Sequence, residues 1–236
     1  MRPLFVVLRI VFAIAAVLGI IWQAFEAVYV SSTDGIGPVP ALTAFFSYFT
    51  VDSNAFFAVI LVVGAILLSR TSPEDLQERH GYGWLRAVAV VGMVTTGIVY
   101  NVDLRTAPPS LDFASAANEA LHSVGPLFAV VDWLVAPGRP RLRWRGFGWL
   151  LVFPLVWLVY TFARQPIATD PYSGNPGWLP YPFLYGTPAE IGLNVLVVVA
   201  LIAALGALVV LASRLPRPGR VDRPVAIPAA DVGGRP

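Results

Sequence analysis

The chain has 236 residues, of which 57% are hydrophobic and only 13% charged, with a mean hydropathy of +0.71. That composition leaves too little polar surface for a soluble domain of this size, so the sequence reads as a polytopic membrane protein. Cysteine is absent, which excludes disulfides and thiolate chemistry, and only His80 and His122 offer imidazoles, so neither a metal nor a cofactor is expected.

A hydrocarbon core about 30 Å thick needs about 20 apolar residues per helix. In chain order the apolar stretches fall at 4–30, 44–69, 84–104, 114–136, 147–164 and 189–213, which predicts an all-α bundle of six transmembrane helices. The first stretch runs past Trp22 to Val30 without a convincing cleavage site, so it reads as a retained helix rather than a signal peptide. The fifth is short and is extended by the flanking Trp144 and Trp149. Between the last two, residues 165–188 (QPIATDPYSGNPGWLPYPFLYGTP) are rich in proline and aromatics and read as an ordered cap at headgroup depth. The segment after 213 is rich in proline and arginine, lacks an apolar period and reads as a disordered tail.

All basic residues are arginine, and they alternate by loop. Arg70 and Arg79 fall in one loop, Arg139, Arg141, Arg143 and Arg145 in another, and Arg214, Arg217, Arg220, Arg223 and Arg235 in the tail. Loop 31–43 has none, 105–113 has Arg105, and 165–188 has none. The positive-inside rule therefore places both termini in the cytoplasm, and the basic balance reflects topology rather than nucleic-acid binding. Membrane lipids are the expected surroundings.

With that orientation, polar side chains gather in the outer half of the bundle. Thr50 lies about 9 Å and His122 about 12 Å below the outer starts of their helices, at 1.5 Å rise per residue. Glu26, Asn54, Tyr100, Asn101, Asp103, Asn118, Glu119, Glu190 and Asn194 join them, while the inner half is nearly bare apart from Asp132. Such groups are costly in hydrocarbon and face a bundle interior or a wet cavity, so an outward-opening pocket is expected. Thr50, Ser53, Asn54 and Phe57 share a helical face, as do Ser115, Asn118 and His122. Pro126, four residues after His122, lacks the N–H that would bond the His122 carbonyl. Asp132 reads as a salt-bridge partner near the arginine-rich loop, Asp52 as a headgroup-level carboxylate, and His80 carries no assigned chemistry.

A threonine hydroxyl attacks only when a base takes its proton, and imidazole is the side chain best suited to that near neutral pH. Thr50 and His122 are thus a candidate nucleophile and base, with Glu119 orienting the imidazole and Ser47, Asn54 and Asn118 as oxyanion donors. Three readings stay open: a hydrolase, a transporter or small-molecule binder using Glu119, His122 and Glu190, and a structural or partner-binding protein whose polar groups hold helices together.

At FFSYFTVDSN, NEALHSVGP, VDWL and LPYPFLY the sequence resembles the prokaryotic "Pr-six-Pr" family of six-span membrane proteins. That family is similar to the eukaryotic androgen-induced and androgen-dependent membrane hydrolases, six-helix threonine hydrolases that cleave fatty acid esters of hydroxy fatty acids. Their threonine follows a Tyr-containing aromatic stretch, matched here by Tyr48-Phe49-Thr50. Their histidine lies in an Asn-x-x-x-His-(Thr/Ser) motif, matched by Asn118 through His122 and Ser123. The resemblance implies an integral protein of a bacterial plasma membrane acting on a lipid ester through Thr50 and His122.

Overall fold

The computed structural model describes residues 1–71, 78–105 and 113–216. Most of the tail read as disordered, and parts of loops 70–83 and 105–113, lie outside the described residues. Regular structure among the described residues is helical, apart from one bridge between Thr169 and Pro176. The helices are α1 (Arg2–Thr33), α2 (Pro38–Phe45), α3 (Phe49–Arg70), α4 (His80–Val99) continued by a π-helical turn (Tyr100–Leu104), α5 (Phe113–Glu119), a second π turn (Ala120–Val124), α6 (Gly125–Val135), α7 (Trp149–Arg164) and α8 (Pro188–Ala212). Five stretches are long and apolar enough to cross a membrane: Arg2–Thr33, Phe49–Arg70, His80–Leu104, Trp144–Ile167 and Pro188–Ala212. They coincide with five of the six predicted spans. The remaining span, 114–136, is the run α5–π turn–α6, helical from Phe113 to Val135.

The second predicted span begins later than its apolar pattern suggested. The chain from Pro38 to Phe45 forms the separate helix α2, and Tyr48 takes an extended conformation (φ −75°, ψ 128°) as the N-cap of α3. Tyr48 is held there by edge-on contacts with Trp178 and Tyr181, 5.5 and 5.6 Å between ring centroids. Thr50 therefore sits in the first turn of α3, not one to two turns inside a helix.

Helix α4 is the axis of the bundle and packs against α3, α6, α7 and α8, while α1 packs along α3. Small residues set that close approach: Ala13, Ala16 and Gly19 recur at helical spacing on the buried stripe of α1. A Cβ added at Gly19 would lie 3.1 Å from the Leu121 side chain. Phe12 stacks on Phe128 with centroids 3.7 Å apart, continuing the seam into α6. Helices α7 and α8 bury few residues and present Leu155, Val156, Val159, Leu193, Leu196 and Val197 outward, as lipid-facing helices do.

The half of the bundle that reads as nearly bare in the sequence is not. Asp132 is 1% exposed and sits between two equally buried arginines. Arg9 Nε donates to its Oδ1 at 2.8 Å, and Arg86 Nε donates to its Oδ2 at 2.9 Å. Arg86 Nη1 also reaches both oxygens of Glu78, at 2.8 and 3.0 Å, and Arg9 Nη2 reaches Oε1 at 3.3 Å. Two guanidiniums and two carboxylates thus balance inside the bundle, and Asp132 pairs with α1 and α4 rather than with the arginine-rich loop. Removing one partner of such a set leaves a buried charge uncompensated. Asp132→Asn is therefore expected to lower unfolding free energy by about 3–5 kcal/mol. Denaturant unfolding in detergent micelles measures this, and a loss below about 1 kcal/mol would show that the network adds little.

Candidate functional site

At the opposite end, a cavity of about 490 Å³ opens between α1, α2, α3, the two π turns and the 165–188 segment. Thr50 and His122 both line it, with Asn118, Tyr48, Tyr100, Tyr181, Gln23 and Glu26. The helices carrying the predicted pair do meet: the Asn54 amide, one turn beyond Thr50, donates to the Leu121 carbonyl at 3.1 Å.

His122 lies in the second π turn, where the Gly125 N–H bonds back five residues to the Ala120 carbonyl. Its Nδ1 lies 2.9 Å from the Asn118 carbonyl oxygen. A carbonyl can only accept, so Nδ1 carries the proton of the neutral ring and Nε2 keeps a free lone pair. Backbone geometry thereby sets the tautomer of a base. The ring lies against Tyr100, 4.1 Å between centroids. The Asn118 side chain completes this wall: its Nδ2 donates to the Tyr100 hydroxyl, and its Oδ1 accepts from Gln23 Nε2 at 3.2 Å. The His122 carbonyl, which Pro126 cannot bond, accepts from Asn101 Nδ2 at 3.1 Å. Gly97 admits Pro126 at this crossing, since an added Cβ would lie 2.8 Å from the proline Cβ.

Thr50 is 8% exposed. Other hydroxyls nearby bond back along their own helix, as Thr43 Oγ1 does to Val39 O at 2.8 Å and Ser47 Oγ to Thr43 O at 2.6 Å. The Tyr181 hydroxyl lies against Thr50 instead, accepting from the Thr50 N–H at 3.4 Å. Tyr181 arrives from the 165–188 segment, which is ordered as its composition predicts. Ala168, Trp178, Leu179 and Leu184 are buried there, and Tyr185 Oη bonds both the N–H and the carbonyl of Leu179. Burial pushes the Tyr181 hydroxyl up to about 12, so it stays protonated and able to donate near neutral pH.

The other predicted residues serve elsewhere. Ser47 Oγ accepts from Arg164 at 2.7 Å, and the Ser47 carbonyl accepts from Trp157 Nε1 at 3.0 Å, fastening α7 to the α2–α3 turn. Asn54 commits its amide to the Thr50 and Leu121 carbonyls, leaving no N–H for an oxyanion. Glu119 pairs with Arg105 at 2.7 Å, so the Asn118 carbonyl, not Glu119, holds the imidazole. Glu190 caps α8 through Thr187 at 2.8 Å, exposed and away from the cavity, and Asn194 donates to the Phe183 carbonyl at 2.9 Å. Gln23 was not anticipated, although Gln23, Glu26, Ala27 and Val30 fall at i, i+3, i+4, i+7 and all line the cavity.

A second, narrower cavity of about 80 Å³ shares Thr50, Tyr100, Leu104 and Tyr181 with the first. Beyond them its walls are almost wholly apolar, from Leu151, Pro154 and Leu155 of α7 and Val195, Val198 and Ile202 of α8. Among the described residues no cluster of His, Cys, Asp and Glu is arranged to hold a metal ion.

Comparison with protein-family models, curated proteins and solved structures finds no match to this chain. The geometry makes unequal demands on the polar wall. Asn118→Leu strips the side-chain partner from Gln23 and from Tyr100 while keeping the backbone carbonyl that holds His122, and each buried group left unpaired costs about 1–3 kcal/mol. Thermal unfolding in micelles is expected to show a clear loss for Asn118→Leu and a far smaller one for Glu119→Gln. Equal losses would mean that the Gln23–Asn118–Tyr100 chain is not what stiffens the site.

Proposed function

We propose that this chain is a six-span intramembrane threonine hydrolase of lipid esters, of the fatty acid ester of hydroxy fatty acid type. The observation that carries the reading is a hydroxyl and an imidazole lining one cavity, with the imidazole held as a base by the Asn118 carbonyl. The likeness of the Tyr48-Phe49-Thr50 and Asn118–Ser123 stretches to the androgen-induced hydrolase group points the same way. The run Phe113–Val135 is about 34 Å long at 1.5 Å per residue, enough for a sixth span. Both termini then lie in the cytoplasm of a bacterial plasma-membrane protein, and the cavity opens outward.

In this mechanism the ester carbonyl lies beside Thr50 with its acyl chain in the apolar cavity. Thr50 Oγ1 attacks the carbonyl carbon while His122 Nε2 takes the hydroxyl proton. Negative charge collects on the carbonyl oxygen, near the first turn of α3, where the helix dipole favours it. The Tyr100 and Tyr181 hydroxyls line both cavities beside Thr50 and serve as oxyanion donors in place of Ser47 and Asn54. The C–O bond to the alcohol breaks, and His122 returns the proton to the leaving oxygen. Water, deprotonated by His122, then attacks the acyl-threonine, releasing the fatty acid and restoring Thr50. The transporter reading loses one of its three groups, because Glu190 is committed to its helix cap.

A lipophilic fluorophosphonate should label wild-type protein in membranes at Thr50, and neither Thr50→Ala nor His122→Ala should label. Ester hydrolysis by either variant should fall by roughly 10²-fold or more, the usual contribution of a positioned base. A folded wild-type protein that takes no label would sink the hydrolase reading.

A further inference from the structure

We infer that the arginine hollow formed by Arg141, Arg143, Arg145 and Arg214 binds the phosphate of an anionic phospholipid. These four residues, with Leu142 and Trp144, line a cavity of about 460 Å³ at the bundle end opposite the Thr50 site. The inference does not depend on the hydrolase reading.

The hollow is built into the fold rather than left on a loose loop. Leu142 is 2% exposed, and its N–H donates to Ser213 Oγ at 3.0 Å, so the segment is fastened to the end of α8. Arg139, also 2% exposed, donates to the carbonyls of Trp133, Leu134 and Leu215 at 2.8, 3.0 and 3.3 Å. Two glycines of close approach seat the segment on α4. A Cβ at Gly83 would lie 2.1 Å from Pro140 Cγ, and one at Gly146 would lie 2.3 Å from the Trp84 ring. The backbone at Arg143 is extended (φ −101°, ψ 139°), so with Leu142 turned in, Arg141 and Arg143 turn out. The 3-10 turn Trp144–Gly146 brings up Arg145, and Arg214 lies over the Trp144 ring at 5.6 Å.

Four guanidiniums therefore border one hollow. None of them forms an ion pair with a described carboxylate, because Glu78 and Asp132 are taken by Arg9 and Arg86, and Glu119 by Arg105. Like charges held together by a fixed backbone favour a shared counter-ion, and the guanidinium fork matches phosphate oxygens in pairs. A lipid is favoured over a free phosphate by what surrounds the hollow. Trp144, in the wall of the hollow, is exposed, as are Leu211, three residues before Arg214, and Trp149, four after Arg145, an apolar and aromatic surface suited to acyl chains next to a headgroup.

The test uses the purified full chain in detergent, titrated with phosphatidylglycerol or phosphatidylcholine and read by native mass spectrometry. Wild type should retain phosphatidylglycerol strongly over phosphatidylcholine. Arg143→Gln/Arg145→Gln should weaken phosphatidylglycerol retention by roughly tenfold or more, while Arg70→Gln/Arg79→Gln, exposed arginines of the same end, should change it less than about twofold. All four positions are exposed, so both variants should fold. Equal weakening in the two variants would replace the site with diffuse attraction. Displacement of the lipid by millimolar inorganic phosphate would mark a soluble-anion site, and no preference between the two lipids would remove the site altogether.

Discussion

Asp132 sits between Arg9 and Arg86, and the positions of three helices follow from that contact. An unpaired carboxylate or guanidinium at this depth would cost several kcal/mol, so the four-membered set tolerates only the arrangement that closes it. Arg9 comes from the start of α1, Arg86 from the start of α4 and Asp132 from the end of α6, and Glu78 ties in the segment before α4. The network acts as a register device more than as a source of net stability. Its place at one end of the bundle allows the other end to open around a cavity, because the helices are already fixed relative to one another.

The two π turns make use of that freedom. A π turn widens the helix and releases groups that an α-helix would pair internally. Here the turns face each other at Tyr100–Leu104 and Ala120–Val124, and the released carbonyls find side-chain partners, one within the same helical run and one across from the facing turn. The Asn118 carbonyl takes the imidazole, and the His122 carbonyl takes Asn101. Pro126 makes the second arrangement necessary, since it has no N–H to offer. Irregular backbone of this kind is tolerated in a membrane only where it faces protein or a wet cavity, and both apply here.

Much of this organisation is legible in the sequence, and what is not has identifiable causes. Apolar length located five helices that the structure also has. Thr50 and His122 do line one cavity, although the depth assigned to Thr50 does not hold, since it lies in the first turn of α3. Helical spacing failed where the helix is not α: Glu119, read three residues before His122 as its orienting partner, is drawn instead to Arg105. The break before Phe49 has no proline or glycine to announce it, because tertiary contacts of Tyr48 with Trp178 and Tyr181 impose it. Arg9 and Arg86 each look like ordinary terminal arginines until Asp132, far away in the chain, is placed between them. Tyr181 belongs to a loop whose order was predicted but whose docking position no local pattern encodes.

The bundle also divides by exposure. Helices α1, α3, α4 and α6 supply most of the main core, whereas α7 and α8 add Leu150, Ile202, Val209 and Val210 to it and leave most of their surface outward. The apolar cavity lies where these two groups meet, walled by α4 on one side and by α7 and α8 on the other. Pro154 interrupts the hydrogen-bond ladder of α7 beside that cavity, and Arg164 and Trp157 hold α7 at Ser47. On the proposed hydrolase reading, an acyl chain would occupy the apolar cavity beside α7 and α8, and water the larger, more polar one. The two cavities meet at Thr50, Tyr100 and Tyr181, the residues both share that can hydrogen-bond through a side chain.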